Sequence, residues 1–451
     1  MPAQAVRPFD ALSASLSTIR SMTASLFTGL FLIAVATSVG ARLWLARRQI
    51  AHVAAHRDAV PSAFAATIGL GAHHKAADYT TAKQRLGVVE TLVETALLLA
   101  MTLGGGLAAL VAVTERIDVG PLWRDLVLLG LLAAISGAID LPFSWWQTFR
   151  IEERFGFNRS TLRLWVADLA KGVALGLLLG IPLALIVLAL MRSAGTWWWL
   201  WVWCTWFAFQ LLVLLLYPTL IAPLFNRFTP LPAGATRERV EHLLARCGFT
   251  ARGLFVMDGS RRSGHGNAYF TGFGKSKRIV FFDTLLERLA PDEIEAVLAH
   301  ELGHFKCRHV LKRITWSGVM SIAFLALLAW LMTQAWFYVG LGIPASLLPA
   351  ALARPGVALA LFALVLPVFA FALSPVAALY SRRHEFEADA FAIESASAAA
   401  LVRALVKLYE DNAATLTPDP LHSAFYDSHP PAAIRIARLG GFPAMTPSPV
   451  A

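Results

Sequence analysis

Two histidines and a glutamate near the end of the longest polar stretch have the types and the spacing of a metal-dependent hydrolase. They are His300, Glu301 and His304 in the run Ala-His-Glu-Leu-Gly-His. Histidines four residues apart lie one above the other on a helix face and can hold one metal ion. The glutamate between them can accept a proton from a metal-activated water, as in zinc hydrolases. Pro291 and Asp292 predict where the helix carrying all three residues begins.

A catalytic zinc site needs a third protein ligand, and a polar segment shortly after the last apolar run offers candidates. Glu385 and Asp389 are four residues apart, so they share a face of a predicted helix. Glu385 could bind the metal while Asp389 accepts a hydrogen bond from a ligand histidine. Two neighbours are rivals for the ligand role, His384 and Glu387. The segment also fits a charged, solvated helix end beyond a membrane span, so spacing alone leaves the third ligand open.

The composition indicates a membrane protein. The 451 residues are 57% hydrophobic and only 15% charged, whereas soluble domains are about 25% charged. Fourteen tryptophans are typical of the aromatic belts at membrane surfaces. The net charge of +10 is spread over loops between apolar runs, which predicts contact with the lipid bilayer and not with nucleic acid. The three cysteines show no disulfide or zinc-site spacing; they are Cys204, Cys247 and Cys307.

Seven apolar runs are long enough to cross a bilayer. They cover residues 23–45, 88–113, 126–145, 172–191, 196–217, 316–339 and 355–380. Arginine and lysine are sparse in three connecting segments, which are 114–125, 192–195 and 340–354. The positive-inside rule assigns the remaining connections to the cytoplasmic side; these are 46–87, 146–171, 218–315 and 381–451. The N-terminus is then expected outside, and the His300–His304 helix on the cytoplasmic face.

This pattern divides the chain into four expected segments. They are an N-terminal tail with five spans (1–217), a polar insert with the candidate metal-binding helix (218–315), two further spans (316–380) and a C-terminal segment with the candidates for the third ligand (381–451). In the second segment, two aromatic and β-branched runs on either side of Gly274 predict a β-hairpin.

Only eleven residues separate His304 from the sixth predicted span. The helix that carries His300 and His304 is therefore expected to continue into the membrane, which would put the site at or slightly below the bilayer surface. His309 follows His304 by five residues and would face another direction on such a continuous helix, which makes it a poor ligand.

Further motifs accompany the two candidate ligand segments along most of the chain. They are Asp-Ala-Val-Pro at 58–61, His-Lys-Ala-Ala-Asp-Tyr at 74–79, Ile-Glu-Glu-Arg-Phe-Gly-Phe-Asn at 151–158, Pro-Leu-Phe-Asn at 223–226, Asn-Ala-Tyr-Phe at 267–270, and Ser-His-Pro-Pro at 428–431 with Arg435. With them, the sequence resembles the M48 metallopeptidases, and in particular the seven-span CAAX prenyl protease (Ste24-type) branch. The resemblance extends over most of the chain outside the first twenty and last ten residues.

The resemblance implies an all-α polytopic membrane fold whose seven helices enclose a chamber. A zinc protease domain that contains the small β-hairpin would cap the cytoplasmic end. One Zn²⁺ per chain would be held by His300, His304 and Glu385, with Glu301 as general base. Asp389 would form hydrogen bonds to a ligand or donate a proton. His429 and Arg435 would lie near the substrate carbonyl, and Asn267 would help to hold the substrate backbone. Judged without the family, His429 is more readily a turn residue and Arg435 a solvated helix charge.

The implied function is that of an integral membrane zinc metalloendopeptidase. Its partners would be the bilayer and a peptide or protein substrate that carries a prenyl group, from which it removes the last three residues. A multi-pass location in a bacterial inner membrane or the endoplasmic reticulum is expected. Two alternatives stay open at this point: a quality-control protease with the same chemistry on non-prenylated chains, and a polytopic transporter with an incidental His-Glu-x-x-His motif.

Overall fold

The structure, a computed structural model, describes residues 8–249, 253–271 and 278–440, with side chains from Thr23 onward. It is mostly helical. The helices of the first half are α1 (Pro8–Ala55), α2 (Leu70–Met101), α3 (Gly106–Glu115), α4 (Pro121–Trp146), α5 (Leu162–Ser193), α6 (Trp198–Leu216), α7 (Ala222–Phe225) and α8 (Ala235–Arg246). Those of the second half are α9 (Asp283–Arg288), α10 (Pro291–Lys306), α11 (His309–Leu331), α12 (Ala335–Val339), α13 (Leu348–Leu352), α14 (Pro355–Ala370), α15 (Ser374–Ser395), α16 (Ala398–Asp411), α17 (Pro420–Tyr426) and α18 (Ala432–Arg438).

Within the described residues, six helical segments are long and apolar enough to cross a membrane, or seven if a bent pair counts as one span. They are Thr23–Ala55, Pro121–Glu152, Leu162–Ser193, Gly195–Phe225, His309–Leu331 and Pro355–Ser395, with the pair Leu70–Met101 and Gly106–Glu115. Every predicted apolar run overlaps one of them. In the six single segments, only 6–39% of the residues in the most apolar stretch are buried in the protein, as expected of helices that do not pack into a solid core.

The second span is broken, which the sequence analysis did not predict. The bend of 50° falls between α2 and α3, where Gly105 adopts the left-handed backbone conformation with φ 77°. Another chain segment passes very close to this break, because a Cβ on Gly342 would lie 2.2 Å from the carbonyl oxygen of Thr102. Gly105 therefore permits the turn between the two helices, and Gly342 permits the close backbone contact beside it.

The segments that the positive-inside rule assigns to one side meet at one end of the bundle. Arg48 of the first connection pairs with Asp419 of the C-terminal segment at 2.9 Å. The Tyr79 hydroxyl donates a 2.6 Å hydrogen bond to Glu152, and Glu152 in turn lies 3.3 Å from His265 of the polar insert. All four segments assigned to the cytoplasmic side are thus joined by direct contacts.

The three arginine-poor connections meet at the opposite end around one buried carboxylate. Asp125 is fully buried and accepts hydrogen bonds from Arg354 Nε at 2.8 Å and Arg192 Nη2 at 2.6 Å. Arg354 also donates to Glu115 at 2.9 Å, and the backbone N–H of Gly356 donates to Asp125 at 3.2 Å. This network fastens α3, α4, α5 and the start of α14 together.

The polar insert contains a small mixed sheet. Its strands are β1 (Phe228–Pro230), β2 (Gly253–Met257), β3 (Ala268–Thr271) and β4 (Arg278–Phe282), in the order β1-β2-β4-β3. Strands β3 and β4 pair antiparallel, with Ala268 opposite Phe281, and form the predicted hairpin; its expected turn at Gly274 lies outside the described residues. Strands β1 and β2 were not predicted, and β2 runs parallel to β4.

Helix α10 begins at Pro291, as predicted, and the carboxylate of Glu293 accepts a 2.8 Å hydrogen bond from the Ala290 N–H. The expectation that this helix continues into the membrane is wrong. It ends at Lys306 because Arg308 adopts the left-handed conformation with φ 56°, and the span α11 begins as a separate helix at His309.

Replacing Asp125 by asparagine is expected to destabilise the protein strongly, because the buried Arg354 loses one of its two charge partners and keeps only the more exposed Glu115. Breaking a buried ion pair typically costs about 3–5 kcal/mol, which lowers the apparent unfolding temperature in detergent by several degrees. Glu241→Gln is the control, since Glu241 pairs with Arg237 on the exposed face of α8. An exposed pair contributes about 1 kcal/mol at most. Equal unfolding temperatures for the two variants would contradict this account.

Gly303→Ala is expected to destabilise the protein, although glycine-to-alanine changes in helices usually stabilise by up to about 1 kcal/mol. A Cβ at Gly303 would lie 2.8 Å from Ala388 Cα and 2.9 Å from its carbonyl oxygen, so α10 and α15 must move apart. The control is Gly176→Ala in α5, where nothing lies within 4 Å of the added Cβ. Thermal unfolding of both variants measures the difference, and an unfolding temperature of Gly303→Ala at or above that of the wild type would refute it.

Candidate active site

Three side chains from two helices bring their ligand atoms together. Nε2 of His300 lies 3.3 Å from Nε2 of His304 and 3.4 Å from Oε2 of Glu385, and the other carboxylate oxygen, Oε1, lies 3.4 Å from Nε2 of His304. A tetrahedral zinc ion with bonds of about 2.0–2.1 Å separates its ligand atoms by about 3.3 Å. One ligand atom from each residue lies within 4.8 Å of the others, so the three groups are close enough to share one such ion, with a fourth position left for water or substrate.

The environment of Glu385 also fits a cation. Its side chain is only 6% exposed, and its buried Oε2 atom makes no hydrogen bond among the described residues, although Nε2 of His300 and Nη1 of Arg435 lie 3.4 and 3.9 Å away. A buried carboxylate oxygen without a hydrogen bond is costly, and a bound metal ion removes that cost. The donor set of two imidazoles and one carboxylate is that of a catalytic zinc site.

His300 is held in place from behind by an aspartate and an arginine. Asp389, one helical turn after Glu385 on α15, lies 2.8 Å from Nδ1 of His300. Arg435 of α18 donates two hydrogen bonds to the same carboxylate, at 2.9 and 2.6 Å. Arg435 is only 5% exposed; its Nε and Nη2 atoms bind Asp389, whereas Nη1 lies 3.9 Å from Oε2 of Glu385. The arrangement fixes the ring so that Nε2 of His300 points at the metal position.

His304 has a longer chain of partners, which the sequence analysis missed. Its Nδ1 lies 2.9 Å from Nδ1 of His309, and Nε2 of His309 lies 2.9 Å from Glu387. The second rival ligand, His384, stacks on His309 with ring centroids 4.0 Å apart. Thus neither Glu387 nor His384 belongs to the group formed by His300, His304 and Glu385. His309 faces the site because α10 ends before it, at Lys306.

A cleft of about 300 Å³ opens beside the metal position. Glu301 lines it, and burial raises the pKa of this carboxyl, which suits a group that must both accept and release a proton. Asn267 and His429 also border the cleft, and Nε2 of His429 lies 3.5 Å from Glu385. The remaining wall combines polar side chains of Tyr409, Asn412 and Arg435 with aliphatic ones, which include Leu285, Val297, Leu401, Leu405 and Leu408.

The segment that leads into β3 and includes Asn267 is fastened to the membrane-spanning part. Nε2 of His265 lies 3.3 Å from Glu152, and its Nδ1 lies 3.1 Å from the side-chain oxygen of Asn412. The ring of His265 stacks on Phe157 at 4.3 Å. The run at 151–158 therefore positions the start of β3, a role for which spacing in the sequence gives no signal.

The comparisons with known proteins agree with this geometry. Residues 49–227 match the CAAX prenyl protease N-terminal domain with five membrane helices, and residues 230–442 match peptidase family M48. The chain is 38% identical over 342 residues to the CAAX prenyl protease 1 homolog of Arabidopsis thaliana, covering 73% of this chain and 77% of that one. It is 33% identical over 355 residues to the CAAX prenyl protease 1 homolog of Homo sapiens, covering 70% and 73%.

A solved structure has the same fold. The crystal structure of S. mikatae Ste24p superposes with a TM-score of 0.85 at 30% sequence identity, over 92% of this chain and 99% of that one. The predictions of a polytopic helical fold, a zinc-dependent protease and a multi-pass membrane location are confirmed. The chain belongs to peptidase family M48, in its CAAX prenyl protease branch, and is a membrane zinc metallopeptidase.

Proposed function

We propose that this protein cleaves prenylated peptides or proteins near their C-terminus, with its zinc ion held by His300, His304 and Glu385. The observation that carries the proposal is the cluster of two imidazole nitrogens and one carboxylate, with contacts of 3.3–3.4 Å, beside a cleft lined by Glu301. The relatives are named CAAX prenyl protease 1, which supports the substrate class. The aliphatic side chains of the cleft suit the apolar residues that follow the modified cysteine in a CAAX sequence.

Glu301 is the general base of the proposed reaction. When bound, zinc supplies Lewis acidity, which makes water a nucleophile near neutral pH. The carboxylate of Glu301 accepts a proton from the attacking water and then delivers it to the nitrogen of the leaving amine. His429 is exposed at the cleft and offers an imidazole N–H to the negative charge that develops on the carbonyl oxygen. Asn267 binds the substrate backbone at the start of the edge strand β3.

The acidic and basic residues behind the ligands have positioning roles. Asp389 holds the Nδ1 proton of His300, and Arg435 neutralises and orients Asp389. Arg435 also lines the cleft, so this positioning role adds to the role near the substrate carbonyl that the family resemblance implies. We also propose that the site faces the cytoplasm, since the arginine-rich connections and the zinc domain share one end of the bundle.

The experiment that tests the substrate class compares a farnesylated CAAX peptide with the same peptide without the lipid. Purified protein in detergent or vesicles is expected to release the C-terminal tripeptide from the farnesylated peptide with the higher kcat/KM. Mass spectrometry of the products identifies the bond that is cut. Equal rates on both peptides would favour the quality-control alternative, and no cleavage of either peptide would refute the proposed activity.

Glu301→Gln is expected to lower kcat by roughly 10²–10⁴-fold, because the amide cannot accept a proton from water. The variant keeps the three proposed ligands, so it should still bind one zinc ion per chain, as elemental analysis would measure. His300→Ala is the companion variant, which should lose both zinc and activity. A Glu301→Gln protein with wild-type kcat would rule out the general-base role.

His309→Ala is expected to weaken zinc binding by about 10–100-fold, because His304 loses the partner that fixes its ring. Competition with a chromogenic chelator measures the affinity directly and does not depend on cleavage. The matched control is His242→Ala, since His242 lies exposed on α8, away from the site. If the two variants bound zinc equally well, the supporting role of His309 would be wrong.

A further inference from the structure

A cleft between α2 and α4 combines an apolar wall with three arginines. It has a volume of about 770 Å³ and lies at the bundle end that carries the zinc domain. Leu86 of α2 with Phe143 and Trp146 of α4 form part of its wall. The three guanidinium groups that line it belong to Arg85, Arg150 and Arg154.

None of these three arginines forms an ion pair with a carboxylate among the described residues. Arg150 instead lies over the rings of Trp145 and Trp146, at 5.7 and 6.0 Å, and Arg154 lies over Phe155 at 5.3 Å. Other arginines at this end are paired through two bonds each, Arg57 with Asp78 and Arg262 with Asp168. The cleft therefore holds three positive charges that the protein does not neutralise through an ion pair, beside a surface that favours hydrocarbon.

We propose that this cleft is a binding site for an anionic phospholipid. The phosphate group would pair with Arg85, Arg150 and Arg154, since guanidinium groups bind phosphate through two parallel hydrogen bonds. An acyl chain would lie along the apolar wall. A basic pocket between spans on the cytoplasmic side is a known form of lipid recognition, and a zwitterionic lipid offers the same phosphate with an opposing positive charge. Charge and shape together thus favour an anionic amphiphile in the membrane.

The position of the cleft connects it to the peptide-binding strand. Arg150 and Ile151 belong to a π-helical turn, Gln147–Glu152, that continues α4. The last residue of that turn, Glu152, lies 3.3 Å from His265, two residues before Asn267. Turns of this kind are often found at functional sites. The bound lipid steadies this turn and, through the contact between Glu152 and His265, the start of β3.

The test measures lipid retention, which does not depend on protease activity. Wild-type protein is reconstituted in an equal mixture of phosphatidylcholine and phosphatidylglycerol with matched acyl chains, released into detergent and examined by native mass spectrometry. The triple variant Arg85→Gln, Arg150→Gln, Arg154→Gln is compared with a control of equal charge change, Arg47→Gln, Arg163→Gln, Arg313→Gln. The control arginines are exposed, lie outside the cleft and form no ion pair among the described residues.

Wild type and control are expected to retain phosphatidylglycerol in preference to phosphatidylcholine. The cleft variant should bind it roughly a hundredfold more weakly, at about fivefold for each arginine near an anionic headgroup. Inorganic phosphate should not displace the lipid, because it cannot occupy the apolar wall. Equal retention by the two variants, equal retention of both lipids, or displacement by phosphate alone would each overturn the lipid site.

Hydrogen exchange tests the second half of the proposal. Backbone amides of residues 147–158 should exchange more slowly in bilayers that contain phosphatidylglycerol than in pure phosphatidylcholine. The slowing is expected in wild type and control and absent from the cleft variant. Retention of the lipid without any change in exchange would show that the site exists but does not steady the turn.

Discussion

The contact between Gly303 of α10 and Ala388 of α15 sets the distance between the two helices that supply the proposed ligands. With no side chain at position 303, the backbones approach until an added Cβ would lie 2.8 Å from Ala388 Cα. At that separation, each of the two histidines on α10 lies 3.4 Å from one carboxylate oxygen of Glu385 on α15, and the two Nε2 atoms lie 3.3 Å apart. The geometry of the proposed metal site thus depends on how closely α10 and α15 pack, as well as on the types of its ligand side chains.

Helix α15 supplies a carboxylate to each proposed histidine ligand as well as a ligand of its own. Glu385 and Asp389 share one face and meet His300, whereas Glu387 points to another side and reaches His304 through His309. A helix can serve both histidines in this way only if α10 packs on one side of it and α11 begins on another. The short break after Lys306 makes that arrangement possible, because it turns His309 back toward the site.

Much of the fold followed from the sequence because its signals are local. The apolar runs, the start of α10 at Pro291 and the β3–β4 hairpin depend on composition and short-range pattern. Features that depend on long-range contacts could not be predicted. Arg308 in a left-handed conformation carries no sequence signal, so His309 was expected to face elsewhere. Arg435 likewise has the sequence context of an exposed helix charge, and only the fold buries it against Asp389.

The membrane-spanning part of this protein is also a structural component of its peptide cleft. Tyr79 on α2 and Gln147 at the end of α4 each donate a 2.6 Å hydrogen bond to Glu152, which in turn contacts His265. These spans therefore fix the residue pair that leads into β3, where Asn267 borders the cleft. A change in how α2 and α4 pack would move the strand relative to His300 and Glu301 without altering any zinc ligand. The proposed metal site is not separate from the membrane part either, because α15, which carries Glu385 and Asp389, belongs to the membrane-capable segment Pro355–Ser395. The packing of the spans therefore bears on both the cleft and the proposed ligands.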